Sequence, residues 1–410
     1  MKISYNWLQS HIEGKLPEPK SLERQIIFHA FEVEEIEEKK TATGSDFIFD
    51  IKTLPDRNHD CLSHQGMARE IAGLTGLSYK DPSPLYTVPK SKPTKLEIEI
   101  QSSACRRYMA RIVRNVTVKE SPQWVKDCLE SIGQRSINNI VDATNIVMYD
   151  CGQPCHVFDL KKIKGNKIII RSAREKDEIS LIHDTVYTKG GVAADRGRNL
   201  IGLPENTLLV CDEEKQLSLA GIKGGLIAQI DPIGNGHQTE YVTDILVEVG
   251  NFDPANIRKT SKLFKINTDS TKRFENDLSP ELCEFAMKEL SGLFVEYGFT
   301  DFEDVVDIYP VKQEKREIVV STAFVNKKLG SNITDDEVEN ILKRYGFSYK
   351  RPEGGSFVID IPTLRLDLQI PEDMVDEIGR IYGYEKIEPV LPSFDFPQTD
   401  NEIYTKIQNV

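Results

Sequence analysis

Alternating apolar and polar positions recur along the chain and predict β-strands. The segment KLEIEI alternates strictly between apolar and polar side chains, and FIFDIK, YMARIVRNVTV and ILVEVGNF alternate over part of their length. This is the pattern of a strand with one buried face. Shorter runs such as KIIIRSA, NTLLVCD and QLSL predict further strands. Because helical patterns lie between these strands, the sequence predicts an α+β protein of several domains.

Three predicted helices carry signals at their ends. Ser63 is the predicted N-cap of a helix that runs to about residue 75. Ser121 is the predicted N-cap of a second helix, with Pro122 at its first helical position. Thr334 and Glu337 have the spacing of a capping box ahead of an apolar stripe. These signals predict where each helix begins.

The stretch from Arg135 to Leu160, RSINNIVDATNIVMYDCGQPCHVFDL, mixes apolar residues with amides, carboxylates and hydroxyls, and no simple period separates them. A surface loop would carry fewer apolar residues, and a plain core element would carry fewer polar ones, because each buried polar group needs a partner. The stretch therefore predicts a partly buried polar site on a helix, followed by a turn at residues 152–154 that presents His156.

A cluster of acids marks the segment RLDLQIPEDMVDEIGRIYGY. Asp373, Asp376 and Glu377 lie at i, i+3 and i+4 on one face of a predicted helix, and Asp367 precedes them by six residues. Spacing alone leaves two interpretations open with equal weight. The acids form a solvated face, or they bind a hard cation such as Mg²⁺ or an Arg/Lys cluster on a partner. The polar turn at residues 56–60 is predicted to cap and turn the chain rather than to form a site.

Composition limits the class of function. The formal net charge is -13, so any contact with nucleic acid must come from local basic patches. No apolar run reaches the length of a membrane span, which predicts a soluble cytoplasmic protein with no membrane contact. Seven cysteines fit reduced thiols better than disulfides. Cys151, Cys155 and His156 cluster, but zinc is disfavoured because a second close ligand pair is missing.

Five segments, in this order, resemble the bacterial phenylalanyl-tRNA synthetase β subunit. They are TLPDRNHDCLSHQGMAREIAGLTG, the stretch at 135–160, LSLAGIKGG, LVEVGNFDPANIR with INTDSTKRFE, and IPTLRLDLQIPEDMVDEIGRIYGY. The resemblance implies a mixed-sheet B3/B4 editing domain at 95–310 and a winged-helix-like B5 domain at 314–388. Ahead of them lie an α+β piece at 1–80, without the oligonucleotide-binding barrel that the family inserts there, and a Pro-rich linker at 81–94. Residues 389–410 would begin a truncated catalytic-like domain.

The resemblance also implies an editing pocket that hydrolyses tyrosine mischarged onto tRNA(Phe). Its positions fall on Arg135, Thr144, Asn145, His156, Ala220, Gly221, Glu248, Thr268 and Ser270. An apolar synthetic pocket rejects an added hydroxyl only modestly, so a second site that requires the hydroxyl is useful. Glu248, in a mostly apolar strand, can accept the phenol hydrogen bond. Position 270 is usually alanine in the family, so Ser270 adds a hydroxyl to the pocket.

For the acidic helix, the resemblance implies Mg²⁺ between two subunits, with Asp367, Asp373, Asp376 and Glu377 as ligands. The implied partners are the α subunit, which carries the ATP-dependent charging chemistry in an α2β2 heterotetramer, and tRNA(Phe). Two alternatives differ in class: a free-standing deacylase that clears mischarged tRNA, and a non-enzymatic winged-helix interaction module. The cation-type acids argue against the first, and the acidic helix is a poor reader of a nucleic-acid groove.

Overall fold

The computed structural model describes residues 1–41, 44–86, 90–175, 177–181, 201–231, 241–352, 355–389, 391 and 406–408. The predicted α+β class is confirmed. The predicted catalytic-like piece at 389–410 lies almost entirely outside the described residues. The N-terminal elements, in chain order, are β1 (Lys2–Ser4), α1 (Tyr5–Ser10), β2 (Ile12–Glu13), α2 (Pro19–His29), β3 (Glu32–Thr41), β4 (Gly44–Lys52), α3 (Asn58–Cys61), α4 (His64–Thr75) and β5 (Ser78–Tyr79).

The N-terminal region packs helices against a small antiparallel sheet in the order β1-β4-β3. β3 pairs with β4 along its whole length, from Glu32 opposite Lys52 to the end of the hairpin. Ser63 caps α4 as predicted, because its hydroxyl accepts a hydrogen bond from the Gly66 amide at 3.0 Å. Gly76 ends the helix in the left-handed conformation at φ +72°.

The central region contains two five-stranded sheets and the longer helices. Its elements are β6 (Glu97–Ile100), β7 (Cys105–Val118), α5 (Gln123–Ser131), α6 (Asn139–Cys151), β8 (His156–Asp159), β9 (Lys167–Ser172), β10 (Glu178–Ile179), β11 (Ile201–Gly202), β12 (Leu208–Cys211), β13 (Gln216–Leu219), β14 (Lys223–Gly224), β15 (Tyr241–Phe252), α7 (Pro254–Phe264), α8 (Asp269–Phe274), α9 (Leu282–Glu296), β16 (Asp301–Phe302) and β17 (Val306–Ile308). The sheet that concerns the site has the order β16-β7-β15-β8, with β17 also on β7.

This sheet is covered on both faces. One face, with Val113 and Val247, shares a core with apolar residues of α5, α6 and α9. The other face, with Tyr108 and Leu246, shares a core with the second sheet, whose order is β14-β13-β12-β9-β6. A polar side chain on this second face is therefore enclosed between two sheets.

The predicted start of α5 is wrong by one residue. The helix begins at Gln123, and Pro122, at φ -54° and ψ 150°, is its N-cap. Ser121 does not cap the helix, because its hydroxyl donates to the buried carboxylate of Asp142. The competing buried acceptor was not visible from the local sequence.

The last region forms a small domain around an antiparallel sheet in the order β18-β20-β19. Its elements are β18 (Arg316–Ser321), α10 (Thr322–Leu329), α11 (Asp335–Arg344), β19 (Ser348–Lys350), β20 (Ser356–Ile361) and α12 (Pro371–Tyr382). The capping box of α11 is confirmed: the Glu337 amide donates to Thr334 Oγ1, and the Thr334 amide donates to Glu337 Oε2 at 2.8 Å. The winged-helix likeness of this domain stays a prediction.

Candidate functional site

Strand pairing places two of the predicted site residues side by side. Glu248 on β15 lies directly opposite His156 on β8 and Ala110 on β7. Residues directly opposite in antiparallel strands share one face of the sheet, so Glu248 and His156 both lie on the face that meets the second sheet. The buried Gln153 amide donates to the Gly250 carbonyl at 2.8 Å, and this bond fixes the turn that presents His156, as predicted.

The two side chains open into a cavity of about 70 Å³. The cavity is lined by Pro154, Cys155, His156, Ser218, Leu219, Gly221, Ile222, Lys223, Gly224, Glu248, Gly250, Phe252, Ser270 and Phe274. Four of the predicted pocket residues, His156, Gly221, Glu248 and Ser270, therefore lie around one cavity.

Two polar atoms in this pocket are buried without a hydrogen-bond partner among the described residues. They are Oε2 of Glu248 and Nε2 of His156. Burial raises the pKa of Glu248 to about 8, and the neighbouring Tyr108 hydroxyl opposes that shift. Burial lowers the pKa of His156 to about 4. At neutral pH the site therefore holds a largely protonated carboxyl and a neutral imidazole, and both need a polar ligand.

Aromatic rings and two glycines shape the remaining wall. The rings of Phe252 and Phe274 meet edge to face with centroids 5.2 Å apart. Gly221 has φ +68°, and a Cβ there would lie 2.8 Å from Phe252 and 2.9 Å from Ile257. A Cβ on Gly250 would lie 2.4 Å from the Phe252 ring. Only glycine fits at these two positions with the rings in place.

Two further predicted residues adjoin the pocket without lining the cavity. Ala220 is buried directly before Gly221. Thr268 is the N-cap of α8, where its hydroxyl oxygen accepts from the Thr271 amide at 3.1 Å and lies 3.2 Å from the Ile222 carbonyl. Thr268 therefore positions the short helix that carries Ser270.

The two predicted residues of α6 lie one turn before the pocket contact. The Ser270 hydroxyl lies 3.7 Å from the sulfur of Met148. Thr144 and Asn145 precede Met148 by four and three residues, so they share its face of the helix. The Thr144 hydroxyl is turned to the Val141 carbonyl at 2.7 Å. These two residues border the pocket through Met148 and do not line the cavity.

Arg135 is exposed in the loop between α5 and α6. The loop is held by Asp142, whose carboxylate accepts from the hydroxyls of Ser121 and Ser136 and from the Ile137 amide. Within the described ranges the Arg135 side chain makes no hydrogen bond or ion pair. The structure does not bring Arg135 to the cavity.

The sequence did not point to Tyr108, Gly250 or Phe252. Tyr108 is fully buried beside Glu248. Among the described residues its hydroxyl has no partner at hydrogen-bond distance and angle, but it lies close enough to the Glu248 carboxyl to lower the pKa of that group. Alternation predicts that Tyr108 faces inward from its strand. Tyr108 on β7 pairs directly with Gly250 on β15, 142 residues further along the chain. Only this pairing shows that Tyr108 neighbours Glu248.

The predicted magnesium ligands line a different cavity, of about 400 Å³, beside the last domain. All four of them, Asp367, Asp373, Asp376 and Glu377, lie around it. Carboxylate oxygens are the donors that Mg²⁺ prefers. The position of the four acids around one cavity is compatible with the predicted site.

The hydrogen bonds of the four acids are not compatible with a bound magnesium ion. Arg365 binds Asp367 at 2.7 Å and Glu377 at 2.6 Å. Asp373 accepts from backbone amides at the start of α12, and Asp376 accepts from a tyrosine hydroxyl. As arranged, the four carboxylates do not fit a magnesium ion, because a guanidinium already neutralises two of them. The magnesium site stays a prediction that requires these ion pairs to open.

The same arginine-rich cluster joins the last domain to the N-terminal region. Arg57 binds Asp60 at 2.8 Å and Glu70 at 3.0 Å, and Arg380 binds Glu70 and Glu377. All five side chains are nearly or fully buried. The polar turn at 56–60, predicted only to cap and turn the chain, therefore supplies charges to a buried ion network between two regions.

Two expectations, on zinc and on the membrane, concern the residues that the structure describes. In that part of the chain, no group of three or more His, Cys, Asp or Glu side chains is arranged to hold a metal ion. Cys151 and Cys155 are free thiols there, and burial raises the pKa of both. None of the helices found in these ranges combines the length and apolar character needed to cross a membrane.

Comparisons with known proteins bear on the same regions. The B3/4 domain model matches residues 104–298, and the tRNA synthetase B5 domain model matches residues 318–384. A phenylalanine--tRNA ligase beta subunit from Clostridium tetani is 38% identical over 336 residues, which cover 81% of this chain and 39% of that protein. One from Fusobacterium nucleatum is 36% identical over 369 residues, 89% of this chain and 43% of that protein.

A crystal structure of an N-terminal fragment of the phenylalanyl-tRNA synthetase beta-subunit from Pyrococcus horikoshii aligns with 93% of this chain and 99% of the fragment. The TM-score is 0.47 and the sequence identity 12%. The chain spans about two fifths of the length of the two bacterial relatives. On the two domain matches and these sequence identities, the chain belongs to the family of phenylalanine--tRNA ligase beta subunits.

Proposed function

We propose that the pocket at Glu248 and His156 is an editing site that hydrolyses tyrosine from mischarged tRNA(Phe). The observation that carries the proposal is the pair of buried, unpartnered polar atoms, Glu248 Oε2 and His156 Nε2, on one sheet face at the same cavity. A buried polar atom without a partner costs about 1–3 kcal/mol. A ligand that supplies the missing hydrogen bonds recovers that energy.

The two groups suit a phenol and an ester. A protonated Glu248 can both donate to and accept from the tyrosine hydroxyl, whereas phenylalanine leaves the carboxyl unpaired. The neutral imidazole of His156 can hold a water molecule beside the ester carbonyl and can accept a proton from that water. That water adds to the carbonyl carbon, the bond from that carbon to the ribose oxygen breaks, and the ribose hydroxyl receives the proton.

The size of the cavity sets a condition on binding. An apolar cavity of about 150 Å³ holds a benzene molecule, and this one measures about 70 Å³. A tyrosine ring therefore enters only if side chains of the wall move. Ser270, whose hydroxyl contacts Met148 at the edge of the pocket, is the residue best placed to move, because its helix α8 is only six residues long.

The test is hydrolysis of Tyr-tRNA(Phe) and Phe-tRNA(Phe) by this chain and by two variants. We expect Glu248→Leu to lose most of its preference for the tyrosyl ester, because a leucine side chain can neither donate a hydrogen bond to the phenol nor accept one from it. Glu289→Leu is the matched control: Glu289 is equally buried in the same region, but it contacts Gln65 and does not line the pocket. Equal loss of selectivity in both variants, or none in the first, contradicts the proposal.

We further propose that the chain acts in a larger enzyme. Its relatives are named as beta subunits of phenylalanine--tRNA ligase. The expected partners are therefore tRNA(Phe) and an α subunit in an α2β2 assembly, and the expected cofactors are ATP and Mg²⁺. The expected location is the cytoplasm. Co-purification of this chain with an α subunit tests the assembly. A chain that stays alone yet deacylates Tyr-tRNA(Phe) would favour a free-standing deacylase.

A further inference from the structure

A second cavity lies on the opposite side of α8 from the pocket. Ser270 and Phe274 of this helix line the pocket, whereas Asp269, Lys272 and Arg273 line a cavity of about 250 Å³. The neighbouring helix α6 also contributes to both cavities. Met148 contacts Ser270 at the pocket, and Tyr149, the next residue, lines the second cavity. The two cavities therefore lie on different faces of α8.

Arg273 gives this second cavity a buried positive charge. The side chain is 2% exposed, and its Nε and Nη1 donate to the carbonyls of Leu62 at 3.1 Å and Asp269 at 3.0 Å. Its nearest carboxylate oxygen, on Asp269, is 3.9 Å away. Nη2 makes no hydrogen bond within the described ranges. Among the described residues, this buried guanidinium has one free nitrogen and a single, long ion pair with Asp269, which favours a further anion in the space it faces.

Tyr149 adds an independent donor to the same cavity. Its ring lies under the Arg273 guanidinium at 4.8 Å, and its side chain is 95% removed from solvent. Among the described residues the hydroxyl has no partner at hydrogen-bond distance and angle, although the residue lines the cavity. Burial, and after it the neighbouring Asp269 carboxylate, raise the pKa of Tyr149, so the hydroxyl keeps its proton and can donate it to an anion.

The charges at the rim agree with this polarity. Lys272 is exposed at the cavity, and Gln134, which also lines it, directly precedes the exposed Arg135. Of the two carboxylates present, Asp50 is held by the Met1 amino group at 3.2 Å, and Asp269 lies beside Arg273. In a chain with a net charge of -13, this is the kind of local basic site that contact with nucleic acid requires.

We propose that this cavity binds a backbone phosphate of the RNA whose aminoacyl end enters the pocket. Arg273 and the Tyr149 hydroxyl donate to the phosphate oxygens, and Lys272 adds charge at the rim. The inference rests on the proposed editing function, because that function identifies the ligand as RNA. It places the phosphate and the ester on two sides of α8, so one short helix positions both parts of the substrate.

The experiment measures binding of a fluorescent single-stranded RNA that ends in CCA, over a series of salt concentrations. Lys272→Glu should weaken binding by about tenfold and reduce the slope of log affinity against log salt by about 0.7, the value for one phosphate on a single strand. Arg273→Lys keeps the buried positive charge but loses the planar guanidinium with its paired N–H donors, and it should also weaken binding. Lys327→Glu is the matched control, because Lys327 is exposed on α10 and the change in net charge is identical.

Equal weakening by Lys272→Glu and Lys327→Glu would overturn the proposal, since the effect would then be one of net charge. No weakening by either cavity variant would overturn it as well. Hydrolysis of 3′-O-tyrosyl-adenosine, which has no phosphate, separates this inference from the editing function. Lys272→Glu should leave that hydrolysis unchanged. If the wild-type chain hydrolyses no ester but loses RNA affinity specifically in Lys272→Glu, the editing function fails and the phosphate site stands.

Discussion

The glutamine variant of Glu248 should stabilise the folded chain increasingly as the pH rises. Glu248 is 5% exposed, and within the described part of the chain one of its oxygens has no hydrogen-bond partner. Burial raises the pKa of its carboxyl in the folded chain to about 8, from an ordinary value of 4.5. Glutamine fills nearly the same volume and cannot ionise, so it removes the pH-dependent part of the cost and leaves the packing in place.

The size of the effect follows from the two pKa values. Between pH 4.5 and 8 the unfolded chain has lost the proton of Glu248 while the folded chain retains it, so the wild-type free energy of unfolding falls as the pH rises. Each pKa unit corresponds to about 1.4 kcal/mol. The buried Glu248 carboxyl therefore lowers the free energy of unfolding by about 2 kcal/mol at pH 6 and by about 4 kcal/mol at pH 8. The advantage of Glu248→Gln over wild type should grow by about 2 kcal/mol between these pH values.

Urea unfolding of wild type and variant at pH 6 and pH 8 measures this difference. Glu178→Gln is the control, because Glu178 is exposed in the same region and its variant should follow wild type at both pH values. The same difference between Glu248→Gln and wild type at pH 6 and at pH 8 would contradict a raised pKa of Glu248. That result would mean that the Glu248 carboxyl is already ionised and paired in the folded chain.

Three further predictions concern stability. Gly221→Ala should lower the free energy of unfolding by about 1–2 kcal/mol because of the positive φ, and by more because the new Cβ overlaps an aromatic ring. Gly298→Ala, where φ is +89° and the space is open, should lose only the part due to φ. Urea unfolding of both variants measures the difference. Arg57→Met should cost about 3–5 kcal/mol, since it leaves the buried Glu70 with one arginine fewer; a cost below 1 kcal/mol would contradict a stabilising role for the ion network. Burial alone would raise the pKa of Glu377, but the surrounding arginines outweigh it and hold the pKa at about 2. The stability that Glu377 contributes is present above pH 4.5 and should be lost as the pH falls toward 2, and acid unfolding curves that do not differ between wild type and Glu377→Gln would contradict this.

Local signals in the sequence predicted several helices and the polar stretch before His156, whereas the other candidate pocket residues came from the family resemblance. A capping box requires only neighbouring residues, so the start of α11 at Asp335 was predictable from Thr334 and Glu337. The polar stretch before His156 was recognisable because its amides and carboxylates lie among apolar residues. Its turn and helix are as predicted, and the Gly152 that ends the helix is left-handed.

Contacts between distant segments were not predictable in the same way. The start of α5 was wrong because Ser121 binds Asp142, which lies 21 residues further along the chain. Likewise, the acids of α12 suggested a solvated face, a cation or a partner's arginines, and Glu377 instead meets Arg365 of the same chain. Charge spacing indicates that a counter-charge is needed, but only the packed structure identifies the group that supplies it.

The central claim is that the pocket recognises a phenolic hydroxyl through Glu248. The most direct measurement is calorimetric binding of two non-hydrolysable adenosine conjugates, in which a tyrosyl or a phenylalanyl group is joined to the ribose through an amide. We expect the chain to bind the tyrosyl conjugate at least about tenfold more tightly, which is about 1.4 kcal/mol, and Glu248→Ala to remove the difference. Equal affinities of the wild-type chain for the two conjugates would contradict it.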